Sequence, residues 1–184
     1  MKEVLKNTRM EKKNNWNIKL EKQMREAGIR WEELDKLSKA GIRRKVRRTD
    51  NRKWREEINA RTTLSLYREY KYEVKDDNIY DNRESSRLLY WARSNSLRLN
   101  DWNRHQKGNV SCQMCGEEKE DLLHFIIKCK GIEDKRNEEI IEKKKGESDR
   151  ETMGNLLFRS KGEDLEELKK MLKKMWDARK ARIS

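Results

Sequence analysis

The chain has 184 residues, of which 44% are charged and 33% hydrophobic, with a formal net charge of +13 and a pI near 9.6. So thin an apolar fraction argues against a large compact globule and for helical segments with wide solvated faces. No run is long and apolar enough to span a bilayer, so no membrane partner is expected. The basic balance favours a polyanion, nucleic acid first. Proline, the strongest helix breaker, is absent. The three cysteines are odd in number and no apolar signal segment opens the chain. Disulfides are therefore not expected, and the expected setting is nuclear or cytoplasmic, not secreted.

In chain order, Trp16, Leu20 and Met24 recur every four residues and predict a helix that stops at Gly28. Trp31, Leu34 and Leu37 or Ala40 form a second short apolar set, with Gly41 as the next break. These tryptophans read as core anchors in preference to platforms for bases. The most basic part follows. Arg43, Arg44, Lys45, Arg47, Arg48, Arg52, Lys53 and Arg55 crowd together, with Asp50 the one acid among them. Ile42, Val46, Trp54 and Ile58, then Leu64, Leu66, Tyr67 and Tyr70, supply an apolar side. Such a helix suits contact with a phosphate backbone. The competing reading has the arginines solvated or paired with Glu56, Glu57 and Glu69.

Residues 75–84 read as a loop that closes in a helix cap. They mark the expected boundary between a basic helical linker region (1–75) and a knuckle region (86–145), with a helical tail (146–184) after it. Residues 86–104 predict an amphipathic helix. Leu88, Leu89, Ala92, Ser96 and Leu99 line one side, and Arg87, Arg93, Arg98 and Arg104 lie around the rest, bracketed by Trp91 and Trp102. Residues 133–145 continue as a charged helix, 146–149 as a turn and 151–159 as a short apolar piece. Residues 163–180 form a terminal helix with Leu165, Leu168, Leu172, Met175 and Trp176 on one side.

Between these helices stands Cys112-Gln-Met-Cys115, then His124, then Cys129, which uses every cysteine in the chain and one of its two histidines. A C-x-x-C pair can grip one metal ion from a tight turn, and Gly116 suits that turn. A histidine and a third cysteine can close a sulfur-rich tetrahedron, which Zn²⁺ favours. Four protein ligands leave no open position, so one structural zinc is expected. His124 is preferred to His105 because it sits between Cys115 and Cys129. His105 reads as exposed or phosphate-facing. Leu122, Leu123, Phe125, Ile126 and Ile127 would start a helix that presents His124. A redox C-x-x-C would sit in a βαβ context, which is missing here.

The run from Ser86 to Asn100, the Cys112-x-x-Cys115-Gly knuckle with its acidic stretch, the His124-Phe-Ile-Ile-Lys-Cys129 ending and Arg136 resemble one known region. It is the part that follows the polymerase in non-LTR (LINE-type) retrotransposon reverse transcriptases. The basic segment with Trp54 and Leu64-Ser-Leu-Tyr67 is similar to the helical linker that precedes it. The resemblance implies a zinc-binding, nucleic-acid-handling module. The chain has no Tyr-x-Asp-Asp-type turn, no palm domain and no convincing carboxylate–carboxylate–lysine cluster, so no enzyme is expected.

The expected fold is mainly α: elongated helical segments around a small CCHC zinc knuckle. The expected function is non-catalytic binding of RNA or DNA. Arg43, Arg44, Lys45, Arg47, Arg48, Arg52, Lys53, Arg55, Arg87, Arg93, Arg98 and Arg104 would contact the nucleic acid, and Gln113 and Met114 would meet bases or phosphates. The acidic stretch 117–121 shifts most of the affinity to the flanking helices. The alternative is a structural module whose basic surface docks a reverse transcriptase core or another protein.

Overall fold

The computed structural model describes residues 15–74, 81–101, 109–116 and 119–183, with side chains from Ile18 onward. It is mainly α. In chain order the helices are α1 (Asn15–Glu26), α2 (Lys39–Asn59), α3 (Ser65–Tyr70), α4 (Glu84–Arg93), α5 (Glu138–Lys143), α6 (Asp149–Arg159) and α7 (Gly162–Ile183). Short 3-10 turns and one π-helical turn, His124–Lys128, lie between them. Among the described residues the only β pairing is an isolated antiparallel bridge from Ser111 to Lys119. Contacts divide the chain between Glu57 and Ile58 into two compact units. The expected segments 86–145 and 146–184 therefore pack as parts of one unit.

In the first unit α1 stops where Gly28 predicts. Ile29 N–H reaches back to the Met24 carbonyl at 2.9 Å and Gly28 N–H to the Arg25 carbonyl at 3.1 Å, which satisfies the last carbonyls of the helix. Met24, Ile29 and Leu34 are buried, with Leu20, Trp31, Leu37 and Ile42 packed around them. The Trp16 side chain lies outside the described residues. Gly41 does not break the chain. Ser38 Oγ accepts from Gly41 N–H at 3.0 Å, so Ser38 caps α2 and Gly41 sits in its first turn.

One face of α2 docks onto the end of α1. Ile42, Lys45, Thr49 and Lys53 recur at helical spacing. Lys45 Nζ donates to the Gly28 carbonyl at 3.1 Å and lies 3.7 Å from Glu33, Thr49 Oγ1 donates to the Glu26 carbonyl at 3.3 Å, and Lys53 pairs with the Glu26 carboxylate. These cations meet the negative end of the α1 dipole. At 3.6 residues per turn, Arg43, Arg44, Arg47, Arg48, Arg52 and Arg55 then fall on the remaining arc, and all six are exposed.

In the second unit α4 packs against α7. Leu88, Leu89 and Ala92 are buried in one core with Leu165, Leu168, Met171, Leu172 and Met175. Ion pairs edge this contact, Arg83 with Glu166 at 3.0 Å and Glu84 with Lys173 at 3.1 Å. Tyr70 of α3 stacks on Phe158 of α6 with ring centroids 5.4 Å apart.

The helix expected over 86–104 ends at Arg93. Asn95 takes a left-handed φ of 50°, Ser96 N–H bonds the Trp91 carbonyl at 2.8 Å and Asn95 N–H the Ala92 carbonyl at 3.1 Å. This is the same double carbonyl cap that closes α1. Ser94 Oγ also donates to the Tyr90 carbonyl at 2.8 Å. Ser-Asn-Ser thus offers the backbone bonds that compete with the helix. Beyond it Leu97 and Leu99 are buried and Arg98 is exposed, the alternation of an extended chain. Trp102, Arg104 and His105 lie outside the described residues.

Candidate metal centre

Each of the two halves of the centre is built by a local turn. In the first, Gly116 N–H closes a turn on the Cys112 carbonyl at 2.7 Å, and Gly116 holds φ at 77°. The amides of Met114 and Cys115 point at the Cys112 sulfur. The Ser111–Lys119 bridge and a 2.8 Å bond from Glu120 N–H to the Val110 carbonyl close the loop that carries the pair.

The second half begins at Asp121, whose Oδ1 accepts from His124 N–H at 2.9 Å and so starts a helical turn. That turn widens into a π-helical one, closed by Cys129 N–H on the His124 carbonyl at 2.7 Å. A bond from residue i+5 to residue i puts those two residues one turn apart, where an α-helix would set them on different faces. The His-x4-Cys spacing and the π-turn therefore fit each other: both side chains come to the same side.

The halves meet through Gly131. A Cβ there would stand 2.4 Å from the Met114 carbonyl oxygen and 3.0 Å from the Cys115 nitrogen. Only glycine allows the two backbones to come so close, and the Gly131 amide then points at the Cys129 sulfur. Arg136 fixes the far side: it donates to the Ile126 carbonyl at 3.0 Å and the Cys129 carbonyl at 2.7 Å.

The outcome is a cluster in which the ligand atoms of Cys112, Cys115, His124 and Cys129 all lie within 4.8 Å of one another. Cys112 Sγ and Cys129 Sγ are 3.5 Å apart, and Cys115 Sγ and His124 Nε2 are 3.3 Å apart. The first distance is far longer than a disulfide, and all three cysteines are free thiols. Together the four residues could hold one metal ion. Cys112, His124 and Cys129 are buried, and the cysteines belong to the main core. Burial pushes the Cys112 thiol up and the Cys129 thiol up to about 12. Two adjacent buried thiolates need a cation to offset their desolvation and mutual repulsion.

A second structure braces the centre. Glu120 is 0% exposed, and Arg179 of α7 grips both its oxygens at 2.6 and 2.7 Å. Glu120 also accepts from Asn100 N–H at 2.8 Å, and Asn100 Nδ2 donates to the Ser111 carbonyl at 2.7 Å. Arg179 lies over Trp176, which in turn meets Phe125 edge-on. Part of the acidic stretch is thus an internal anchor. In the sequence Glu120 reads as one more acid of this stretch, because its partner lies 59 residues away.

The residues expected at nucleic acid separate into groups. Arg43, Arg44, Arg47, Arg48, Arg52, Arg55, Arg87 and Arg98 are exposed, with Arg52 3.3 Å from Glu56. Lys45 and Lys53 are half-buried against the end of α1. Arg104 lies outside the described residues. Arg93 is corrected: it is 4% exposed, donates to the Leu157 carbonyl at 2.6 Å and lies over the Phe158 ring at 5.2 Å. Its place four residues after Leu89 puts it on the packed face. Met114 is corrected too, being buried in the core; Gln113 is exposed. No helix among the described residues is long and apolar enough to cross a membrane. No known family model, no curated protein and no solved structure matches the chain.

Proposed function

We propose that this protein is a zinc-binding, non-catalytic nucleic-acid-binding module, similar to the C-terminal region of non-LTR retrotransposon reverse transcriptases. The observation that carries the reading is the convergence of Cys112, Cys115, His124 and Cys129 on one point inside the core. Zinc suits this donor set. Around a tetrahedral Zn²⁺, with Zn–S near 2.3 Å and Zn–N near 2.0 Å, sulfur–sulfur edges are about 3.8 Å and sulfur–nitrogen edges about 3.5 Å. The 3.5 and 3.3 Å separations are close to these edges. Cys112 and Cys129 already have backbone amides aimed at their sulfurs, and Arg136 holds the Cys129 carbonyl, as structural sites do. With three thiolates and an imidazole, the ion would serve as a clamp between the two turns.

The nucleic-acid part rests on where the charge lies. Residues 1–57 hold 19 Lys or Arg against 10 Asp or Glu, which is +9 of the chain's +13. The six exposed arginines of α2 cover about 18 Å of helix axis at 1.5 Å per residue. Duplex DNA presents roughly ten phosphates over that length. Arginine side chains on such an arc can grip phosphate oxygens with no reading of sequence. The buried zinc turns would support the second unit and leave the flanking helices to make contact.

The reading is tested with Arg43, Arg44, Arg47 and Arg48 changed to Glu together. Binding of the zinc-loaded chain to short RNA and DNA is followed by fluorescence anisotropy over a salt series. The expected result is binding that weakens linearly in log–log coordinates with salt for the wild type and falls by at least about a hundredfold in the variant, with metal content unchanged. Unaltered affinity in the variant would move the function to protein docking.

A further inference from the structure

We propose that the exposed aromatic edge of α4, formed by Tyr90 and Trp91 next to Arg87, is a stacking platform for single-stranded nucleic acid. The proposal deepens the nucleic-acid reading and rests on it. Tyr90 is 50% exposed and Trp91 38% exposed, while Leu88, Leu89 and Ala92 on the other side of the same helix are buried. The side of α4 that is buried is thus the one with Leu88, Leu89 and Ala92, and both rings keep a solvent-open part. Arg87 stands three and four residues before them and is exposed. Helical side chains lean towards the N-terminus, so both rings tilt over the turn that carries this guanidinium.

The platform is held rigid from behind. The Trp91 carbonyl is taken by Ser96 N–H and the Tyr90 carbonyl by Ser94 N–H at 3.0 Å and by Ser94 Oγ. Arg93, the last residue of α4, is anchored on the Leu157 carbonyl. The nearest acid on the helix, Glu84, is occupied by Lys173 and Lys180 at 3.1 and 3.3 Å. A cation beside two exposed rings suits a ligand that has both phosphates and open base faces. A duplex hides its base faces, so the chemistry selects a single strand.

The test uses the full zinc-loaded chain, a labelled oligo-dT and a duplex of the same length, at one fixed salt concentration. Two variants are compared with the wild type: Tyr90→Ala with Trp91→Ala, and Tyr90→Phe with Trp91→Tyr, which keeps both rings. The double alanine variant is expected to lose at least about tenfold in affinity for oligo-dT, the scale of one lost stacking contact, with less than about threefold change on the duplex. The ring-preserving variant is expected to bind oligo-dT as the wild type does. Undiminished oligo-dT binding by the alanine variant, or equal losses on both ligands, overturns the platform and leaves the nucleic-acid reading standing. A wild type that binds neither ligand overturns both.

Discussion

Replacing Arg179 with alanine should destabilise the second unit far more than loss of a surface charge would. The guanidinium makes two short bonds to a carboxylate that is 0% exposed, and it also lies 3.4 Å from Asn100 Oδ1. Removing it leaves Glu120 buried with its charge unpaired. Breaking a buried pair from one side costs about 3–5 kcal/mol, whereas a solvent-exposed ion pair in general is worth about 0–1 kcal/mol. At ~3–5 °C per kcal/mol for a unit of this size, the thermal midpoint of the zinc-loaded chain should fall by ~9–25 °C. Circular dichroism melts with metal content matched between variants read this directly. The double change Glu120→Gln with Arg179→Met should recover much of the loss, since a neutral pair leaves no buried charge. A midpoint within about 2 °C of wild type for Arg179→Ala, well inside the surface-pair range, would refute the anchoring role of Glu120.

Gly131→Ala is expected to force its methyl group against the Met114 carbonyl and move the backbone between Cys112 and Cys115. Overpacking of this kind costs about 1–3 kcal/mol, and metal affinity in competition with a chromophoric chelator should drop by at least about tenfold, as for a lost orienting contact. Metal uptake should also release protons. Burial raises the Cys112 and Cys129 thiols above their ordinary values, so both are protonated near neutrality and must ionise to ligate. Affinity should therefore rise with pH by at least about tenfold per unit between pH 6 and 8. Calorimetry in buffers of different ionisation enthalpy measures the released protons; a flat pH profile would contradict the ligand set.

What could be read from the sequence was local. The cysteine and histidine spacing marked a cluster because each half closes within a few residues, and Gly28 marked a helix end because the closing bonds are local, from Gly28 N–H to Arg25 and from Ile29 N–H to Met24. What escaped was set by distant partners or by competing local bonds. Gly131 looks like any loop glycine until Met114, seventeen residues earlier, is placed against it. Arg179 and Glu120 read as two more charges among many. Arg93 was legible in principle, because its spacing from Leu89 puts it on the apolar face, but its charge outweighed that signal. The overlong helix from 86 has the same origin: a continuous apolar period hid the Ser-Asn-Ser stop, and Leu97 and Leu99 reach the core along an extended chain.

The most direct test of the central claim is the metal content of the full chain, purified under reducing conditions and analysed by elemental mass spectrometry beside a Cys112→Ser, Cys129→Ser variant. The account requires about one zinc per wild-type chain and none bound tightly by the variant. Wild-type chain that is folded and free of zinc, and that takes none up when it is supplied, would contradict it.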